Sequence, residues 1–225
     1  MKDIRHILFD LDGTLIDTEY TAAVTIQQCF KRWNIHVEMS DANYITGRKW
    51  EAAFEFLFKK YPLPVSEKTA EAMILTDYRA ALDLELKTVP GSVECVRSLC
   101  GEFPLALVSG SHRAEILWAL KKLGILDCFQ VILGAEDYPM SKPAPDGYRK
   151  ALGMMGAQAE HGLVFEDSNA GIASARAAGM RVVAIGSTNH FGQNVAGADH
   201  VVADLRAVDV SWIRAFAQGA HARKG

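Results

Sequence analysis

Ile7-Leu8-Phe9-Asp10-Leu11-Asp12-Gly13-Thr14-Leu15-Ile16-Asp17 is the stretch whose reading decides the fold. A short apolar run ends in two aspartates separated by a single leucine, and glycine and threonine follow at once. A run of that length beside a glycine turn signal reads as a buried strand. Carboxylates at its carboxyl end then sit where open α/β sheets place their ligands. Two acids so close repel each other unless a cation or a proton intervenes; a divalent metal on one and a transferable proton on the other resolve the conflict. Asp-Gly is also a common turn pair, and an Asp after a strand also caps helices. The rest of the chain decides between these readings.

Beyond Asp17 the pattern turns helical. Thr18 or Asp17 caps a helix to about Trp33, with Ala23, Ile26, Gln27, Phe30 and Trp33 on one face. Ser40-Asp41 is expected to cap a short piece ending near Gly47. A third helix runs from Arg48 to Tyr61 and stops at Pro62 and Pro64. Ser66 opens a fourth, through Met73, Leu75, Tyr78 and Leu82. No strand is needed here, so residues 18–87 are expected to form a four-helix insertion. Residues 1–17 and 88–225 are expected to form the core.

From Pro90-Gly91 onward, helices and short strands alternate. Strands are expected at Leu105 to Val108, Val131 to Leu133, Leu163 to Phe165, Arg181 to Ile185 and His200 to Val202. Helices are expected at Ser111 to Leu123, Gly147 to Met155, Ser168 to Ala178 and Val210 to Gln218. Such alternation implies right-handed crossovers and a parallel sheet covered on both faces. The expected fold class is α/β, a Rossmann-like core carrying a helical cap.

The bulk properties narrow the function. The chain has 225 residues, 49% hydrophobic and 23% charged, as in ordinary globular proteins. A net charge of −3 provides no basic field for nucleic acid or an anionic membrane. The amino-terminal residues place charge where a signal peptide needs an apolar core. Cys29, Cys95, Cys100 and Cys128 show no metal-ligand spacing and read as reduced thiols of a cytoplasmic protein. A monomer is expected.

Four predicted strands end in polar residues: Asp10 and Asp12, Ser109, Lys142 in the following loop, and Glu166-Asp167. A parallel sheet brings those ends to one edge. Asp10 can attack phosphorus to form an aspartyl-phosphate. Asp12 can protonate the leaving oxygen and later deprotonate water. Ser109 offers a hydroxyl, and Gly110 and Ser111 offer amides at a helix start, to phosphate oxygens. Lys142 offsets the charge of the phosphate and of Asp10. Glu166 and Asp167 supply hard oxygens for Mg²⁺. Singly, each segment reads more readily as a turn, a cap or a solvated loop lysine; their shared placement carries the inference.

Phe9-Asp10-Leu11-Asp12-Gly13-Thr14, Val108-Ser109-Gly110-Ser111, Ser141-Lys142-Pro143-Ala144-Pro145-Asp146 and Val164-Phe165-Glu166-Asp167-Ser168 with Gly171-Ile172 together resemble the haloacid dehalogenase superfamily. The likeness is to its helical-cap subgroup and covers nearly the whole chain. It implies a Rossmann-like core, Mg²⁺ dependence, the roles given above, and metal contacts from Asp10, Asp12 through its backbone carbonyl, Glu166 and Asp167. Ser141 departs from the glycine that relatives commonly carry before the lysine.

Two activities fit that resemblance: a phosphatase of small phosphorylated metabolites and a β-phosphoglucomutase-like mutase. Mutases carry histidine where this chain has Ala22, and tend to valine where it has Thr14, so phosphatase is favoured. A non-catalytic sugar-phosphate-binding module is disfavoured, because every reactive residue is intact. The cap is expected to set specificity, with Gly47 and Arg48 in Thr46-Gly47-Arg48-Lys49 as substrate contacts. Glu19 and Tyr20, near the hinge, are expected to point inward. Trp50, Phe54, Phe56 and Phe58 read as cap core. Small phosphorylated sugars or sugar acids are the expected substrates.

Overall fold

The computed structural model describes residues 3–42, 44, 50–189, 192 and 194–219. Six strands form one parallel sheet: β1 (His6–Phe9), β2 (Leu105–Val108), β3 (Val131–Leu133), β4 (Gly162–Glu166), β5 (Arg181–Ile185) and β6 (His200–Val202). Their spatial order is β3-β2-β1-β4-β5-β6, with every adjacent pair parallel. The order reverses beside β1, and such a switch point opens a crevice at the strands' carboxyl ends.

Alternate residues of each strand build two separate apolar layers, as a period of two requires. Ile7, Phe9, Leu105, Leu107, Leu163, Phe165 and Val183 face one layer with α5 (Ser92–Leu99), α6 (Arg113–Leu123) and α9 (Val210–Ala217). Leu8, Ala106, Val108, Val164, Val182 and Ala184 face the other with α7 (Asp146–Met155) and α8 (Asn169–Ala177). Both faces being dry explains why β1 and β2 read as continuous apolar runs. Phe9 stacks on Phe165 across the β1–β4 pair at 5.1 Å.

Among the described residues between β1 and α5 lie the α-helices α1 (Glu19–Arg32), α2 (Met39–Ala42), α3 (Trp50–Lys60) and α4 (Glu67–Leu84). They enclose a third apolar cluster built on Ile26, Phe30, Trp50, Phe54, Leu57, Ile74 and Tyr78. This is the helical cap. The chain leaves for it and returns side by side: Ile16 bridges Thr88 antiparallel, the Asp17 N–H donates to Lys87, and the Val89 N–H donates to Leu15.

Two expectations shift. Ser40 and Asp41 lie inside α2 rather than capping it, because Asp41 turns to Lys60 and Tyr61 across the cap. The helix expected from Ser111 starts at Arg113, with His112 in extended backbone as its N-cap.

Candidate active site

Register sets the geometry. Phe9 is level with Leu107 on β2 and Phe165 on β4, so Asp10 follows at the same height as Val108 and Glu166. The Asp10 N–H still donates to the Phe165 carbonyl, which holds the aspartate to the sheet's end. Asp10, Lys142, Glu166 and Asp167 are each 4% exposed or less.

Lys142 ties this rim together. Its ammonium bonds Asp10 Oδ1, reaches Glu166 Oε1 at 2.5 Å, and stands 5.2 Å above the Tyr148 ring. Burial alone would lower the lysine's pKa, but Asp10 and Glu166 raise it well above the usual range. For Asp10, burial raises the pKa, Lys142 opposes it, and Glu166 and Asp12 add to the rise.

Glu166 is saturated. Oε1 accepts from Lys142 and the Tyr148 hydroxyl, and Oε2 from the Asp167 and Ser168 amides and the Ser168 hydroxyl. A Cβ on Gly171 would lie 1.7 Å from Oε1, so the first turn of α8 closes on this carboxylate only because that residue is glycine. In this arrangement Glu166 brackets Lys142.

Asp167 differs. Oδ1 accepts from Thr14 at 3.3 Å, whereas Oδ2 is buried and takes no N–H or hydroxyl donor among the described residues. Burial, then Glu19, Glu166 and Asp10, raise its pKa well above the carboxylate range. Gly13, at φ +82°, brings the β1 loop so close that a Cβ there would sit 2.1 Å from Asp167 Oδ2. Among the described residues, one oxygen each from Asp10, Glu166 and Asp167 lies within 4.8 Å of the others. Three buried acids around one ammonium, with an orphaned oxygen among them, fit a hard divalent cation.

The Asp12 side chain lies outside that trio. Oδ1 accepts from Thr18 at 2.6 Å, and Oδ2 accepts from Ser111 at 2.6 Å and Ser109 at 3.2 Å. Ser109 and Ser111 therefore spend their hydroxyls on Asp12. The Ser111 N–H donates to Ser109 Oγ at 3.0 Å, and Ser111 stands before the first residue of α6. Gly47 and Arg48 lie outside the described residues. Glu19 points inward as expected, but Tyr20 is 53% exposed.

Sequence marks Thr18 only as a helix cap and Thr14 only as a difference from the mutases, and gives no role to Tyr148; the structure instead sets Thr18 on Asp12, Thr14 on Asp167 and Tyr148 on Glu166. The threonines fall within or beside the Asp10 motif, where hydroxyls flanking two acids are a readable signal. Tyr148 carries none: it is one more apolar position on α7, and only the fold sets its hydroxyl on Glu166.

The family profile for haloacid dehalogenase-like hydrolase matches residues 7–185. The chain belongs to this family. It is 33% identical over 208 residues to validoxylamine A 7'-phosphate phosphatase of Streptomyces hygroscopicus subsp. limoneus, covering 91% of this chain and 95% of that one. It is 29% identical over 182 residues to fructose-1-phosphate phosphatase YqaB of Escherichia coli, covering 79% and 94%. The crystal structure of β-phosphoglucomutase from Clostridium difficile superposes with a TM-score of 0.81 at 21% identity, covering 96% and 98%, which supports the shared α/β core and helical cap.

Proposed function

We propose that this haloacid dehalogenase-like hydrolase is a Mg²⁺-dependent phosphatase of small phosphorylated metabolites, working through an aspartyl-phosphate on Asp10. The observation that carries the reading is the Asp10–Lys142–Glu166 pairing at the carboxyl end of β1, beside the orphaned Asp167 oxygen. Relatives named as phosphatases support the class of phosphoric monoester hydrolase.

Asp10 attacks phosphorus in line with the ester oxygen, and Lys142 offsets the charge of the nucleophile and the phosphoryl oxygens. Asp12 gives the leaving oxygen its proton and then takes one from the water that releases phosphate. Ser109, Ser111 and Thr18 hold Asp12 in place. Asp10 and Asp167, with the Asp12 carbonyl and Glu166 alongside, would hold Mg²⁺, which when bound neutralises charge on the transferring group. We further propose residues 18–87 as the cap that closes over the substrate, with Gly47 and Arg48 contributing from it, and residues 1–17 and 88–225 as the core. Among the described residues no helix is long and apolar enough to cross a membrane, and we propose a cytoplasmic monomer.

The mutase alternative draws on the β-phosphoglucomutase likeness. Against it, Ala22 is buried in the cap's apolar cluster and offers no group for proton exchange.

A screen of phosphate esters for phosphate release tests the reading. Hydrolysis is expected to stop with EDTA and return with Mg²⁺; indifference to chelation overturns the metal assignment. With β-glucose 1-phosphate and a trace of its bisphosphate, glucose 6-phosphate forming faster than phosphate would favour the mutase.

A further inference from the structure

Glu19 opens α1 beside the reacting aspartates, yet the chemistry above makes no use of it. It is 5% exposed, and among the described residues no N–H or hydroxyl donates to either carboxylate oxygen; its side-chain hydrogen-bond contact is with the carboxyl group of Asp167. The group faces Asp12, Asp10 and Glu166 and lies against Asp167. An acid in a first helical turn commonly serves that helix's own amides, but these oxygens accept none of them. A metal is no better account: among the described residues the clustered ligand atoms come from Asp10, Glu166 and Asp167, and Glu19 is not one of them. Buried polar atoms are almost always partnered, and two neighbouring carboxyl groups can share at most one proton, so further donors to Glu19, which the described residues do not supply, are expected to arrive with a ligand.

We propose that Glu19 is a specificity-determining residue whose carboxylate accepts hydrogen bonds from a free hydroxyl of the substrate's neutral sugar or polyol portion. This rests on the phosphatase reading and narrows it. A substrate carboxylate at the same place would meet the buried acids Asp10, Glu19, Glu166 and Asp167, with Lys142 already shared by two of them. Neutral sugar and polyol phosphates are therefore selected over sugar-acid phosphates.

The test compares wild type, Glu19→Gln and Glu19→Ala at saturating Mg²⁺. The substrates are a panel of neutral sugar and polyol phosphates, p-nitrophenyl phosphate and phosphoglycolate; the last two have no free hydroxyl. Glu19→Ala is expected to lower kcat/KM for the preferred sugar phosphate by at least about 100-fold, because a site built to bond a hydroxyl discriminates strongly. Hydrolysis of p-nitrophenyl phosphate and the Mg²⁺ concentration needed should stay within about twofold, since that ester offers Glu19 no hydroxyl and Glu19 is not among the clustered ligand oxygens. Glu19→Gln, which keeps an acceptor oxygen, is expected to lie between the two.

Equal losses on all substrates, a raised Mg²⁺ requirement, or no change on any overturns the assignment. Calorimetric binding gives a readout independent of turnover. Asp10→Asn is expected to bind the sugar phosphate more tightly than Asp10→Asn/Glu19→Ala, with equal affinities for inorganic phosphate. Equal sugar-phosphate affinities overturn the inference even if chemistry fails. Wild type releasing phosphate from no ester overturns instead the phosphatase reading beneath it.

Discussion

At the rim of the sheet, Lys142 joins Asp10 and Glu166, and Glu166 takes three further donors through Oε2, all nearly shut off from solvent. At the seam between cap and core the polar contacts are of another kind. Arg79 meets Glu115 at 3.6 Å, His112 reaches Glu51 at 3.5 Å, and Lys122 reaches the Leu82 carbonyl at 3.4 Å, each with a partly or largely exposed partner. The rim groups are buried and shared, so removing one leaves another unpaired. The seam pairs stand at the edge of solvent, where each contributes about 0–1 kcal/mol. Chemistry is thus built on a closely bonded floor, while the cap rests on these exposed pairs, on Trp118 and Leu86, which pack against both the core and cap clusters, and on the paired linkers at Ile16 and Thr88. That division suits a lid above a preorganised site.

Substitutions can break this contrast. Asp10→Asn is expected to lower phosphate release by on the order of 10⁴-fold or more while the fold survives, since a missing nucleophile has no substitute; substantial residual turnover would remove Asp10 from its role. Lys142→Met is expected to cost about 3–5 kcal/mol in urea unfolding, because it strands buried carboxylates. A loss under about 1 kcal/mol would show that the rim is not held as a unit. Arg79→Met, at the seam, is expected to change stability by no more than about 1 kcal/mol. Its effect should appear, if anywhere, in KM; a large loss of stability would make the seam as rigid as the rim.

Much of the fold was legible. Helices α1, α3 and α4 carry apolar residues at helical spacing, and β1, β2, β4 and β5 are apolar runs closed by turn or polar signals. Periodicity is local and survives without tertiary information. Short pieces were harder. Helix α2 has four residues, too few for a period to register, and Asp41 sits in it because Lys60 and Tyr61 approach from α3 and its end. Ser111 looked like a helix start, but residues 109–112 stay outside α6 while Asp12 takes both serine hydroxyls.

Sequence alone determined the strand–helix alternation and the segments that reach the sheet's edge, because an apolar run and the polar residue that ends it are neighbours in the chain. Only the folded structure decided how the reactive groups divide: Lys142 between Asp10 and Glu166, Asp12 among three hydroxyls, Asp167 with one oxygen unspent. Those choices depend on strand register and on contacts between residues as far apart as Thr14 and Asp167, separated by 153 positions. Hydrogen bonds act over a few ångströms of space, and no local pattern encodes which distant donor arrives within that reach.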